Sequence, residues 1–338
     1  MSLTTALAIL GGVVLMAVLL HGWWSARRAS PKPALVQPPS EVARVEPGFD
    51  ASATALPAEP RPLKRVATID ALIDTIATLA LDAPVSGEMV LAHLPPSRRA
   101  GSKPVFIEGL DTESGEWAPL APAHHYSELQ AAVQLANRSG ALNEIEYSEF
   151  VQKVQAYADA VGAAPDFPDM LDVVARAREL DALTGPLDAQ LSLTLRSNSV
   201  AWSAGYIQQV ASRHGFVAGV LPGRLVVSAA EEGAPPLLAL SFDAQAALAE
   251  DPQQAPLREC LLTLDVPQIE ERLEPFPAWH HAARSLADDM DASMMDDQGQ
   301  VITLHAFAAI GTELSGLYRR LEALDLAAGS AAARRLFS

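Results

Sequence analysis

The fold of this chain is decided by residues 259–300, which read ECLLTLDVPQIEERLEPFPAWHHAARSLADDMDASMMDDQGQ. The segment 260–266 is apolar and rich in strand-forming side chains, and Pro267 ends it. Apolar side chains then recur at three- and four-residue steps, which places them on one helix face: Phe276, Trp279, Ala283, Leu286 and Met290. Residues 293–295 predict a second short strand, which ends at a turn cluster over 296–299.

A weaker copy of this pattern lies in the first half of the chain. Residues 131–135 provide the strand, and an apolar helix face follows it: Phe150, Val151, Val154, Tyr157, Ala158 and Val161. In both copies a strand, a short helix and further strands come before, and a closing helix comes last. We therefore predict an α+β fold with two tandem units, 66–185 and 186–330, each an antiparallel sheet backed by helices. The other face of each sheet is left to water or to a partner.

The first unit is predicted to start near Ile69. Residues 73–81 alternate apolar side chains with polar or small ones, as a half-buried strand does. A short helix over 86–94 and a strand over 105–108 follow. Pro168 suits the first turn of the closing helix, because proline lacks the amide hydrogen that this turn leaves unpaired.

The second unit is predicted to open at Asp188 with a strand in which leucines alternate with polar residues over 190–195. The helix after it ends at Gly215, a residue type that favours the left-handed conformation at a helix end. A hairpin over 216–228 turns at a Pro-Gly pair, and residues 237–242 add a further strand.

The chain is predicted to end in a long amphipathic helix and a tail. Apolar side chains at helical spacing run from Leu304 to Leu324, and Thr303 is the predicted N-cap. Residues from Ala327 onward predict a frayed tail, with 331–338 outside the second unit.

Length and composition limit the classes of function. With 338 residues the chain can hold two domains, and a hydrophobic fraction of 49% supports a core in each. The net charge of −17 argues against a nucleic-acid partner, because phosphates need a basic surface. The single cysteine, Cys260, lies in an apolar strand, so the chain lacks a disulfide framework and fits a reducing compartment.

Residues 1–28 predict a transmembrane anchor. The stretch 3–20 is apolar apart from two threonines, and with the residues that follow it is long enough to span a ~30 Å hydrocarbon layer. A cleaved signal peptide is the alternative interpretation, but no Lys or Arg precedes the apolar run. Arg27 and Arg28 follow at once, and positive charge favours the cytoplasmic side. The N-terminus is therefore predicted to face the periplasm.

Residues 29–65 predict a disordered spacer. Prolines recur throughout this segment, and no apolar period survives that density. A mostly polyproline-like spacer reaches on the order of 100 Å at ~3.1 Å per residue. Its length therefore matters more than its sequence.

No pattern in the sequence predicts an enzyme. The sequence contains no phosphate loop, dinucleotide glycine fingerprint or nucleophile elbow. His124-His125 and His280-His281 are predicted to be solvated or packed, because consecutive helix side chains point about 100° apart and cannot share a metal. The aspartate pairs 288–289 and 296–297 also diverge, and aspartates favour turns anyway. We therefore predict no catalytic residue, no metal and no cofactor.

A basic loop is the remaining candidate for a charged ligand. It contains Arg98, Arg99 and Lys103. Anion binding is one interpretation, and a solvated loop is the favoured one.

Several stretches resemble the ZipA family of bacterial cell-division proteins. The segment 16–30, MAVLLHGWWSARRAS, is similar to the family's N-terminal anchor. LLTLDVP at 261–267, AARSLADDMDASMMDDQGQ at 282–300 and the closing helix from Thr303 resemble its C-terminal domain. The resemblance covers the anchor, the style of linker and residues 186–326. The first unit resembles a degenerate second copy of that domain.

The resemblance implies a split β-α-β sheet whose open face binds the C-terminal tail of the tubulin-like protein FtsZ as a short apolar peptide. The implied peptide-binding residues are Ser192, Leu225, Val227, Phe242, Leu261 and Thr263. The family has aliphatic or aromatic side chains at positions where this chain has Gln190, Ser192 and Thr263. We therefore expect a contact centred on Leu225, Phe242 and Leu261, or a site that has moved to the first unit.

The function implied by the resemblance is non-enzymatic. The expected protein tethers FtsZ filaments to the cytoplasmic face of the bacterial inner membrane during septum assembly. It crosses the membrane once, with its N-terminus in the periplasm and its C-terminal domains in the cytoplasm. The alternative is a membrane-anchored adaptor of the same fold that binds a different divisome or envelope protein. Neither nucleic acid nor a small-molecule substrate is expected as a partner.

Overall fold

Two antiparallel sheets organise the part of the chain that this computed structural model describes, residues 68–231, 233–248 and 256–338. These residues belong to one compact unit, Leu63–Ser338. The predicted anchor and linker, residues 1–65, lie outside the described residues. Within the described ranges, no helix combines the length and the apolar composition needed to cross a membrane. The α+β class with antiparallel sheets is confirmed.

The first half is built around its longest strand. Its elements, in chain order, are β1 (Asp74–Ser86), α1 (Gly87–Ala92), β2 (Arg99–Ala100), β3 (Lys103–Asp111), β4 (Trp117–Pro119), β5 (His125–Gln134), β6 (Ala136–Asn137), β7 (Gly140–Ala141), α2 (Glu144–Val161), β8 (Ala163–Asp166) and α3 (Met170–Thr184). Strand β1 lies between β5 and β8, and β5 pairs on its other side with β3. Strands β2 and β4 pair with opposite ends of β3, while β6 and β7 form a separate hairpin.

The second half forms a sheet in the order β10-β11-β12-β13-β9-β14. Its elements, in chain order, are β9 (Gln190–Ser197), α4 (Ala204–Arg213), β10 (Val217–Ala218), β11 (Arg224–Val227), β12 (Leu238–Ser241), α5 (Ala244–Ala247), β13 (Glu259–Asp265), α6 (Pro275–Met290), β14 (Ala292–Met295), α7 (Leu304–Ala323) and α8 (Ala331–Leu336). Every strand pairing in it is antiparallel.

The two sheets share an order of strands. We call α2 and α6 the main helices of the two halves. The first strand of the first half, β1, lies between β5 and β8, which precede and follow α2. The first strand of the second half, β9, lies between β13 and β14, which precede and follow α6. Beyond these, β5 pairs with β3 as β13 pairs with β12, and β2 precedes and pairs with β3 as β11 precedes and pairs with β12. Strand β4, which follows β3 and also pairs with it, has no counterpart among the described strands of the second sheet. The strand before the main helix is thus surrounded in the same way in both halves.

The predicted strand, helix and strand of residues 259–300 are β13, α6 and β14. Pro275 opens α6, where a missing amide hydrogen leaves no bond unmade. Asp291, with φ +49°, ends the helix and lets β14 begin at once. Trp279 is buried on the helix face that packs on the sheet, and its indole N–H donates to the Leu262 carbonyl at 3.4 Å. The apolar spacing therefore located the helix and the face that it buries.

Helix α2 repeats this packing in the first half. A capping box holds its first turn, in which Asn143 accepts from the Glu146 amide and Glu146 accepts from the Asn143 amide. Gly162, with φ +73°, ends the helix in the left-handed conformation. Phe150 and Val154 are completely buried against the sheet. Each half therefore packs its main helix, α2 or α6, on one side of its sheet. On the opposite side of the first sheet, Asp74 and Gln134 are also buried.

Two details of the first half differ from the sequence predictions. Pro168 precedes the N-cap of α3, Asp169, and so is not in its first turn; the Asp169 carboxylate accepts from the amide of Leu171 at 2.8 Å. The interpretation of the basic loop as solvated is wrong for Lys103, which is completely buried. Its ammonium donates to Asn137 Oδ1 at 2.7 Å and to the Gly140 carbonyl at 2.6 Å. Lys103 thus holds the β6–β7 hairpin and is not available to an anion.

The prediction of a frayed tail is wrong. Residues 331–336 form α8, and Ser330 caps it by accepting from the Ala333 amide at 3.2 Å. Apolar side chains of this segment are buried in the core of the second half, which also includes Ile73 and Ala136 of the first half: Ala332, Ala333, Leu336 and Phe337. The last helix therefore fills the seam between the two halves.

Two buried glutamines hold the end of α8. Gln134, at the end of β5, donates to the Arg335 carbonyl at 2.9 Å and to the Ala136 carbonyl at 2.6 Å. Gln268, in a turn after β13, donates to the carbonyls of Phe337 at 2.6 Å and Arg334 at 3.2 Å. The last carbonyls of a helix have no partner within it, so a buried end needs such donors. One donor comes from each half.

We predict that Phe337→Ala lowers the free energy of unfolding by about 3 kcal/mol, because the ring is only 2% exposed and its loss leaves a cavity. Leu171→Ala is the control, since that side chain is 71% exposed and its loss should change stability by under ~0.5 kcal/mol. Urea unfolding of the full-length chain, followed by tryptophan fluorescence, measures both. If the Phe337→Ala variant were as stable as the parent chain, the result would support the prediction of a frayed tail.

Candidate functional site

Strand register decides which side chains of the second sheet lie on its open face. Leu225, Leu240 and Leu262 are paired across β11, β12 and β13, and all three are buried beneath the helices. Neighbouring residues of a strand point to opposite faces. The next row, which includes Ala239 and Thr263, therefore lies on the open face.

This register separates the six predicted peptide-binding residues. Ser192, Leu261 and Thr263 lie on the open face, because each alternates with a buried leucine of β9 or β13. Leu225, Val227 and Phe242 belong to the helix side: Leu225 and Phe242 are buried in the core, and Val227 is paired with buried Leu238. A contact centred on Leu225, Phe242 and Leu261 is therefore wrong, since these side chains do not share a face.

The sequence contained no signal for this distinction. Strand β9 alternates leucines with polar residues, so its faces can be assigned by inspection. Strand β13 reads ECLLTLD, in which the consecutive Leu261 and Leu262 put an apolar residue on each face. Strand β11 reads RLVV and β12 lies within LLALSF, so apolar residues occupy both of their faces. Only pairing with neighbouring strands fixes which apolar residue is inside, because a shift of one residue exchanges the two faces.

The open face becomes more apolar toward one edge of the sheet. One row of paired residues crosses all five strands from β9 to β10: Ser192, Thr263, Ala239, Val226 and Val217. Side chains in this row change from polar to aliphatic along that direction. In the adjacent row Leu261 lies between Thr194 and Ser241 and is 39% exposed. The apolar part of the face therefore lies on the β10 side of Leu261.

A groove of about 660 Å³ lies along this apolar edge. Its walls include edge strand β10, its neighbour β11 and the loop after β11: Val217, Ala218, Gly219, Val220, Leu221, Arg224, Val226, Ser228, Ala229, Glu231, Gly233, Ala234 and Pro236. Val217 is 53% exposed, Leu221 is 60% exposed and Val220 is entirely exposed. Arg224 and Glu231 place one charge of each sign at the groove. A cavity of this size and lining suits a short apolar segment of a partner.

The opposite end of the open face is polar because the first half binds there. Arg138, beside the β6–β7 hairpin, donates to both oxygens of Asp265, at 2.7 and 2.8 Å, and to Asp188 at 2.6 Å. These two carboxylates raise the pKa of Arg138 further above its usual value. Gln190, on the same face, donates to Asp265 at 3.2 Å. The polar residue at this family groove position therefore belongs to the contact between the halves.

A smaller cavity of about 220 Å³ lies in the first half, between α1 and β3. Apolar side chains of Leu91, Leu94, Phe106 and Leu120 line it. Buried Glu108 also lines it and accepts from the Ile69 amide at 3.2 Å. The volume suits one or two side chains rather than a peptide, so a site moved to the first unit has less room than the groove.

Several titratable residues singled out in the sequence have structural roles in the fold. Burial raises the pKa of the Cys260 thiol to about 12, so the thiol stays protonated. His124 Nδ1 contacts the Asp111 carboxylate, and the His280 ring packs on Phe307 with centroids 4.1 Å apart. Asp289 is paired with His214 Nε2 at 3.1 Å. Among the described residues, no group of three or more His, Cys, Asp or Glu is placed to hold a metal ion.

The sequence matches no protein-family model, and no curated protein is significantly similar to it. The resemblance to the ZipA family therefore rests on the quoted residues.

We predict that Leu225→Ala and Leu261→Ala differ sharply in stability. Leu225 is 5% exposed in the core, so its truncation should lower the free energy of unfolding by about 3 kcal/mol. Leu261 is 39% exposed on the open face, so its truncation should cost under ~1 kcal/mol. Denaturant unfolding of the full-length variants measures both. The reverse ranking would mean that the register of β11 is shifted by one residue.

Proposed function

We propose that this protein is a membrane-anchored, non-enzymatic tether of the ZipA type, which binds the FtsZ C-terminal tail on the open face of its second sheet. The apolar groove at the β10–β11 edge is the observation that carries the proposal. In the proposed complex the N-terminal helix holds the chain in the inner membrane, the proline-rich spacer sets its reach, and the second half captures the tail in the cytoplasm.

The shape of the groove favours a peptide over a folded partner. An extended peptide on a sheet gains affinity from apolar side chains that enter alternate pockets. Val217 and Val226 form an aliphatic floor from paired strands, and exposed Val220 and Leu221 extend it at the rim. Aliphatic surface of this kind is unfavourable in water, and contact with a partner would remove it from solvent.

The shared strand order supports the proposal that the two halves are copies of one ZipA-like, split β-α-β domain. Both main helices connect the same two strand positions of their sheets, from β5 to β8 and from β13 to β14. In the proposed duplication the second copy keeps the peptide groove. The first copy instead contributes Arg138 to the junction.

A membrane-anchored adaptor for a different divisome or envelope protein is the alternative. One observation favours it: Gln190, Ser192 and Thr263 are polar, and Arg138 binds beside Gln190. A tail that required aliphatic contacts at those three positions would not find them here. The tether proposal therefore places the tail nearer the β10 edge than the family resemblance implies.

We predict that Val217→Asp and Leu261→Ala each weaken binding of an FtsZ tail peptide by about tenfold or more. A buried carboxylate opposite an apolar side chain, or the loss of an anchor contact, costs at least ~1.4 kcal/mol. Calorimetric titration of the full-length chain with the peptide measures the dissociation constant. Leu183→Ala is the matched control, because that leucine is also half exposed but lies on α3 of the first half.

Two outcomes would contradict this placement. If Leu183→Ala weakens binding of the tail peptide as much as Val217→Asp does, then the contact is nonspecific. If the parent chain does not retain FtsZ in a pulldown, or retains it equally without its tail, the adaptor becomes the better proposal.

We also predict that a reporter fused after Ser338 is active in the cytoplasm only. The reason is the pair of arginines that follows the apolar N-terminal run, since positive charge stays on the cytoplasmic side. Paired phosphatase and fluorescent reporters measure the topology. Periplasmic activity, or a mature protein that begins near Ala26, would exclude it.

A further inference from the structure

The open face of the first sheet already has a ligand, the side chain of Arg335 in α8. Its guanidinium donates to both carboxylate oxygens of Asp74, one of them at 2.9 Å, and to the Thr68 carbonyl at 2.6 Å. It also lies over the Phe106 ring, 4.1 Å from the centroid. Phe106 and Asp74 both lie on the face of the sheet opposite the helices, by the register of β1, β3 and β5. A planar cation held by a carboxylate and an aromatic face is a specific arrangement that lysine cannot reproduce.

Other contacts hold the groups of this site in position. Asp74 accepts from the Asp70 amide at 2.8 Å, which fixes the carboxylate at the start of β1. Gln134 is completely buried, and its donation to the Ala136 carbonyl fixes the amide plane. With α8 absent these two bonds would remain. The first half therefore holds the Asp74 and Gln134 part of the site in position.

The site binds backbone carbonyl groups of α8 as well as the Arg335 side chain. Gln134 donates to the carbonyl of Arg335 and accepts from its guanidinium, at 2.9 and 3.4 Å. Gln268 binds the carbonyl of Phe337 from the other side. A ligand must therefore be the C-terminal end of a helix, where carbonyls are free. It must also carry an apolar face like that of Ala333, Leu336 and Phe337.

We propose that the seam between the two sheets is a binding site for an arginine-bearing amphipathic helix end, and that α8 occupies it as a displaceable ligand in cis. The partner is a protein segment with the same chemistry, an arginine preceding two apolar residues at the end of a short helix. This proposal does not depend on FtsZ binding, because the seam and the β10–β11 groove use different residues.

A short link joins α8 to α7. Residues 325–330 form this link, and both Asp325 (φ +57°) and Gly329 (φ +78°) have left-handed backbone there. A tethered ligand competes with a free one at an effective concentration in the ~mM range, so the resident helix hides the site until it is weakened.

The test uses a fluorescently labelled peptide of residues 326–338, LAAGSAAARRLFS, and the full-length chain. Weakening the resident helix by Arg335→Ala in the chain should make the chain bind this peptide about tenfold more tightly than the parent chain does. A tenfold change in affinity corresponds to the loss of at least one charge-assisted hydrogen bond from α8, which competes with the peptide for the site. Fluorescence anisotropy measures the affinity. Equal affinity of the two chains overturns the proposal.

A neighbouring arginine provides the matched control. In the peptide, Arg335→Ala should weaken binding to the Arg335→Ala chain by about tenfold or more. Arg334→Ala should change it by under about twofold, because the Arg334 guanidinium is paired with exposed Glu231 at 3.5 Å, and exposed pairs contribute little. Equal losses from the two peptide variants would indicate unspecific attraction of a basic peptide to an acidic protein, and would overturn the proposal.

If the Arg335→Ala chain is not properly folded, as a non-cooperative unfolding transition would show, hydrogen exchange of the backbone amides in the parent chain provides the test instead. Excess parent peptide should then accelerate exchange of the amides of 331–336, because displaced α8 loses its hydrogen bonds. The Arg335→Ala peptide should leave that exchange unchanged. Unchanged exchange with both peptides overturns the proposal.

Discussion

The end of α8 is the constraint on which the arrangement of the described chain depends. A helix that ends inside a protein leaves carbonyl groups without partners, and each unpaired buried group costs about 1–3 kcal/mol. Here the partners are Gln134 and Gln268, which belong to different sheets. Both sheets must therefore meet at one point, with β5 of the first and the turn after β13 of the second on either side of the helix. The apolar side chains of α8 add the burial that makes this meeting favourable.

The meeting of the sheets also decides which open surfaces remain. Arg335 lies on the end of the first sheet's open face, and Arg138 lies on the end of the second sheet's open face. Each arginine comes from outside the sheet that it covers, and each is held by a carboxylate of that sheet. The polar ends of both faces are thus used within the molecule. What remains on the second sheet is the aliphatic edge at Val217 and Val226, and this is why the proposed peptide contact lies there.

The sequence predicted the elements whose burial follows a single period. Helices α2, α6 and α7 each have one apolar stripe over several turns, and β9 alternates leucines with polar residues, so their positions and buried faces could be derived. The helix α8 could not, because AAARRL is shorter than two turns and its two arginines are typical of a solvated end. Its stability comes from tertiary contacts. The faces of Leu225 and Phe242 were predicted wrongly for the related reason that pairing, not composition, decides them.

In the proposed seam site, the ion pair at Asp74 contributes to selectivity more than to stability. Burial raises the pKa of Asp74 and Arg335 acts against that rise, so much of the attraction offsets the loss of hydration. A pair of aliphatic side chains at these positions would hold α8 about as well. It would also accept any apolar helix in any register, whereas a guanidinium between a carboxylate and an aromatic ring accepts one. Removal of the arginine alone leaves Asp74 buried without its partner, and that penalty allows the site to reject helices that lack an arginine.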